Sequence, residues 1–152
     1  MGHALFAIAL VFSVICLALS GPEEPMAAVQ KYIDAFNKSD LKAMTAICDS
    51  PAVIIDGLAP HSWQGPTACE DWYRDVIAAG KEEGAGDYFV TLGAPRHVDV
   101  KGDRAYVVVP TTMKFKAHGK EITQTGSTMT LALHKIGDQW RIAGWAWSKG
   151  SR

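Results

Sequence analysis

The chain has 152 residues, with 15 Lys and Arg against 16 Asp and Glu, for a formal net charge of −1. So even a balance lacks the electrostatic footprint that nucleic acid or an anionic membrane surface selects. The length suits one domain around one core and leaves no room for a second.

Ala4 to Leu19 (ALFAIALVFSVICLAL) runs without a charge, and Ala18-Leu19-Ser20-Gly21 closes it with a small-residue pattern suited to signal peptidase. At about 16 residues the run falls short of the about 20 that span a bilayer. We read residues 1–20 as a secretory signal and the protein as exported, periplasmic or secreted, with no membrane contact after cleavage. An uncleaved anchor is the other reading. Cleavage leaves Cys48 and Cys69 in an oxidising compartment, where they form either a disulfide or two buried thiols.

Gly21 to Pro25 reads as a linker to a domain over residues 26–150. Met26, Val29, Ile33 and Phe36 then recur at spacings of three and four, one buried face of a helix with Tyr32 beside it. Asn37-Lys38-Ser39-Asp40 breaks the pattern and offers N-caps for a second helix carrying Leu41, Met44 and Ile47. Pro51 ends that helix, and Ala52-Val53-Ile54-Ile55 is short, apolar and β-branched, hence a buried strand closed by Asp56-Gly57. Leu58 to Pro66, with two prolines and a glycine, reads as loop. Thr67 to Glu70 matches a capping box for a third helix carrying Trp72, Tyr73, Val76 and Ile77, which Gly80, Gly84 and Gly86 terminate.

From Asp87 the period changes to two. Strands are expected near 87–93, 95–100, 104–116, 121–135 and 140–148, separated by Gly93-Ala94-Pro95, Gly102-Asp103, His118-Gly119 and Gly137-Asp138. Val107, Val109, Thr111, Met113 and Phe115 share one face, and Trp145 and Trp147 share another. Helices succeeded by a meander predict an α+β domain with helices on one face of a curved sheet.

Ala27 to Asp40 (AAVQKYIDAFNKSD) resembles the first helix of ketosteroid isomerases and of the wider nuclear transport factor 2-like superfamily, which includes the SnoaL-like polyketide cyclases. Ala52 to Asp56 is similar to the strand that carries the isomerase base, Trp63 to Thr67 to the opening of the third helix, and Thr128 to Arg141 with the Trp145 strand to the final hairpin. The resemblance covers nearly all of the chain beyond the leader. It implies a cone-shaped, cystatin-like fold in which a curved antiparallel sheet wraps three N-terminal helices and leaves an apolar pocket between them.

The resemblance also implies roles. Asp56 matches the general base and Tyr32 the phenol that donates to a developing oxyanion, a mechanism known for those isomerases. The second, protonated aspartate of those enzymes has no counterpart, because Thr128, Met129 or Thr130 stands near its place. Apart from any family, a carboxylate after four apolar residues is expected to be partly desolvated and more basic; the plainer reading is a side chain that caps its own turn. For Tyr32 the plainer reading is a core tyrosine whose hydroxyl finds a local partner.

His61 and Trp63 come next, on the loop after Asp56, the histidine as a second acid or base and the indole as a wall, or else as a solvated histidine and a packing anchor. Phe36, Trp72, Val109, Met113, Met129 and Trp145 complete the expected ligand-binding lining. No His or Cys spacing suits a metal, and no Gly-rich phosphate loop or Gly-x-Ser-x-Gly elbow occurs, so no cofactor is expected. Three functions are compatible with this pattern: an exported domain that binds a small apolar or carbonyl-bearing molecule; an isomerase, cyclase or dehydratase; or a protein-interaction module. A homodimer through the outer sheet face is expected in each case.

Overall fold

The computed structural model describes residues 24–151. The expected leader lies outside them, as does most of the expected linker.

The first helix, α1 (Pro25–Asn37), starts on its proline, whose ring sets a helical φ and whose missing N–H would have had no partner there. Helix therefore begins inside the stretch read as linker. Val29, Tyr32, Ile33 and Phe36 are buried on one face. Asn37 ends the helix, and its side-chain amide pairs with the backbone of Val90, donating to the carbonyl and accepting the N–H, each at 2.8 Å. Helix α2 (Leu41–Ile47) is capped by Asp40, whose carboxylate accepts the Ala43 N–H at 2.9 Å.

Strand β1 (Cys48–Ile55) begins four residues before the predicted Ala52. Pro51 does not end the helix but lies within the extended chain. The ladder to the neighbouring strand slips between Cys48 and Val53, which is where a residue without an N–H is tolerated. The stretch read as loop contains a short return strand, β2 (Ser62–Gly65), antiparallel to β1 with Trp63 opposite Ile54. Flanking Pro60 and Pro66 conceal it in the sequence.

Helix α3 (Ala68–Glu82) comes next. The predicted capping box is not formed: the Thr67 hydroxyl donates to the Asp71 carboxylate at 2.7 Å, and Glu70 is held by Arg74 one turn on. The helix runs through Gly80 and stops before Gly84. A disulfide joins Cys48 at the start of β1 to Cys69 in the first turn of α3.

The remaining strands are β3 (Ala85–Leu92), β4 (His97–Lys101), β5 (Arg104–Ala117), β6 (Lys120–Ile136) and β7 (Gln139–Ser148). The sheet runs β2-β1-β7-β6-β5-β3, and β4 shares the outer edge of β5 with β3. All pairs are antiparallel except β1 with β7, which is parallel. Gly144 permits that parallel approach, since a Cβ there would sit 2.7 Å from the Val53 carbonyl oxygen.

Ile54, Val107, Val109, Met129, Leu131, Leu133, Ile142 and Trp145 lie in one buried cluster with the apolar faces of α1 and α3. Each such aliphatic side chain contributes about 1.5–3 kcal/mol by leaving water. The curved, unclosed sheet with three helices on one side is the expected architecture.

The pairing of β5 with β6 is irregular at one place. Thr111 of β5 faces Ser127 of β6, whereas Met113 faces Gln124, so β6 carries an extra residue in this stretch. Gly126, at φ +72°, takes up the distortion. The tail after β7 returns along the same place: Thr125 and Ser151 exchange two backbone hydrogen bonds of 3.0 Å.

Candidate active site and ligand cavity

A cavity of about 280 Å³ opens between α3, α1 and the far half of the sheet. That is near the lower end of the roughly 300–1,000 Å³ common for small-molecule sites. Its walls are mostly apolar, with Phe36, Trp72, Val76, Tyr88, Met113, Phe115, Met129, Trp145 and Trp147 among them. Tyr32 and Asp56 both line it. Two groups 24 positions apart in the chain are brought together because α1 packs across the sheet near the point where β1 ends.

Asp56 is half-buried at that end. Its Oδ1 accepts the Leu58 N–H at 2.9 Å, closing the turn, and its Oδ2 accepts the indole N–H of Trp72 at 3.2 Å. Capping its own turn and facing the cavity are thus compatible. Tyr32 is 1% exposed, and its hydroxyl oxygen accepts the indole N–H of Trp145 at 3.1 Å. The two indoles meet edge to face, their ring centroids 4.7 Å apart. One donor therefore holds the carboxylate, another holds the phenol, and contact between the donors fixes the pair relative to each other.

The phenol proton is left free to donate. Burial, partly offset by the Trp145 hydrogen bond and reinforced by the negative charge of Asp56, pushes the Tyr32 hydroxyl well above the ordinary tyrosine range. It is a hydrogen-bond donor at neutral pH, not a base. Since the folded state holds this proton more tightly than the unfolded chain, the resulting stability is complete below the unfolded value of 10.0 and is lost as pH rises beyond it. Thermal melts are expected to fall off above that pH in the wild type and less steeply in Tyr32→Phe. Equal slopes in the two proteins would refute the assignment. Tyr88, also raised by burial and by Glu83, accounts for the part that survives the substitution.

The other predicted site residues divide. Phe36, Trp72, Met113, Met129 and Trp145 line the cavity with Asp56 and Tyr32. Val109 is fully buried in the core cluster and is not among the lining residues. Trp63 is buried too, and its N–H donates to Asp75 at 2.8 Å, which makes it the anchor of its loop. His61 is exposed, at φ +74°, with Nδ1 3.3 Å from the Asp56 carbonyl oxygen; it touches the backbone of Asp56 rather than the cavity.

Of the three candidates for the missing acid, Met129 faces the cavity and the flanking threonines face the other side of the sheet. A thioether offers no strong donor to an oxyanion. Sequence reasoning missed the two indole donors, although a buried tryptophan must place its N–H somewhere. It also missed Gln124, which the extra residue of β6 turns inward, and Lys149, which lies in the tail that folds back on β6; Trp147 lines the cavity beside Trp145, whose face of β7 it shares. Among the described residues no cluster of His, Cys, Asp or Glu is placed to hold a metal ion, and no helix is long and apolar enough to cross a membrane.

Comparison with known proteins agrees with this architecture. A ketosteroid isomerase-like protein from Erwinia carotovora atroseptica superposes with a TM-score of 0.68 at 23% identity, covering 84% of this chain and 95% of that one. A hexachlorocyclohexane dehydrochlorinase from Novosphingobium barchaimii gives 0.67 at 13% identity, covering 82% and 85%. An NTF2-like protein with a cystatin-like fold from Novosphingobium aromaticivorans gives 0.63 at 16%, covering 81% and 77%. At these identities the likeness is one of fold. No curated protein matches the sequence. Residues 26–149 match the SnoaL-like domain, and the chain belongs to that family.

Proposed function

We propose that the protein is an exported small-molecule-binding domain whose ligand is mostly apolar and carries a carbonyl or hydroxyl oxygen. The observation that carries this reading is a greasy cavity whose polar pair, Tyr32 and Asp56, is held by two buried indole donors. A ligand hydroxyl donates to Asp56, and a ligand oxygen accepts from Tyr32. The second reading, a base-catalysed enzyme with Asp56 removing a proton beside a carbonyl and Tyr32 as electrophilic donor, is supported by the same pair. Met129 in place of a second acid weighs against it, because a lone phenol leaves developing negative charge less well stabilised. Mass spectrometry of whatever molecule travels with the purified mature protein tests the proposal. An oxygen-bearing, largely apolar compound is expected, and an Asp56→Asn variant that retains it unchanged would overturn the site.

A second copy of the chain is the proposed partner for the outer face of the sheet. Two rows cross four strands there without a charge: Val53, Gly144, Ala132 and Tyr106, and Ile55, Ala146, Thr130 and Val108. Val53, Ile55 and Tyr106 are 43%, 52% and 46% exposed, and an uncovered patch of this kind calls for a partner. Sedimentation should give a dimer for the wild type and a monomer for Ile55→Glu, whereas a monomeric wild type excludes the interface.

A further inference from the structure

The cavity has a second polar end that no comparison assigns. Gln124 is 1% exposed and lines the cavity from β6, opposite Met113. Its Nε2 donates to Ser127 Oγ at 2.7 Å, and the same Oγ accepts the Gly150 N–H at 3.0 Å. The amide is thereby fixed from behind by the tail, in a residue that lines the cavity. An amide held through its NH2 still has a carbonyl oxygen with two lone pairs, which can accept from a donor in the cavity.

Its place in the sheet sets the spacing. Ile55 pairs with Ala146, so Asp56 lies level with Trp147, which pairs with Met129. Gln124 faces Met113, four positions along β5 from Val109, the partner of Met129, which is roughly 13 Å at about 3.3 Å per residue. Phe115, Tyr88 and Met113 wall the space on this side.

We propose that Gln124 is a specificity-determining residue that accepts a hydrogen bond from a hydroxyl at the far end of the ligand. The ligand class is then a rod of two joined rings with an oxygen at each end, one for Tyr32 and Asp56 and one for Gln124. This rests on the binding function proposed for the cavity and narrows it.

Two probes separate the claims by calorimetry: 4-phenylphenol, with a single hydroxyl, and 4,4′-dihydroxybiphenyl, with one at each end. The wild type should bind the diol about tenfold more tightly, the worth of one buried hydrogen bond. Gln124→Met, which keeps an unbranched side chain of similar length, should abolish that preference, so that the two probes bind alike. Gln124→Leu should do the same, so that neither result depends on one variant's packing. The proposal is overturned if the preference survives both substitutions, or if both variants lose 4-phenylphenol as strongly as the diol, which would make Gln124 a packing residue. A wild type that binds both probes equally, with Asp56→Asn weakening both, overturns the role of Gln124 and leaves the cavity's function standing. A wild type that binds neither probe overturns both.

Discussion

An Asp56→Asn variant is expected to lose about ten- to a hundredfold in affinity for the ligand proposed for the cavity, the worth of a hydrogen bond to a charged acceptor. If the protein turns its ligand over, loss of the base should cost about 10²–10⁴ in rate. The carboxylate now accepts from two donors at once, the Leu58 amide and the Trp72 indole. An asparagine offers one oxygen and one NH2, so one of these donors must face another donor. Folding should therefore survive with a penalty of about 1–3 kcal/mol from the group left unpaired. Denaturant melts of the variant separate this penalty from the change in binding. Affinity and rate that match the wild type would show that Asp56 only closes its turn.

Replacing Cys48 and Cys69 together by alanine is expected to cost about 3 kcal/mol, the chain entropy of a loop closed across a 21-residue separation. That should lower the melting temperature on the order of 10 °C for a domain of this size. The consequence reaches the site, because Trp72, whose indole holds Asp56, lies one turn along α3 from Cys69. Loss of the cross-link should thus weaken ligand retention as well as stability. Melts of the wild type with and without reductant should reproduce the shift seen in the double variant; identical melting curves would remove the disulfide from the account.

The strands after Asp87 could be read in advance because alternation and turn residues agree there, and local and tertiary preferences point the same way. The start of β1 and the whole of β2 could not, because prolines that usually break structure occur within or beside short paired segments. Tyr32 and Asp56 could be singled out by residue type and position, whereas their shared cavity depends on packing that no local pattern encodes. Gln124 is the clearest case of concealment. Strict alternation back from Met129 turns positions 127 and 125 inward and 124 outward, but the extra residue near Gly126 reverses that order and brings a buried amide to the cavity.

The chain carries five tryptophans, and three of them, Trp72, Trp145 and Trp147, line the same cavity. The protein's own ultraviolet emission is therefore dominated by what those rings touch. Water entering the space between them shifts the light toward the red, a greasy guest shifts it toward the blue, and a conjugated guest dims it. Occupancy can be tracked in real time without attaching any dye.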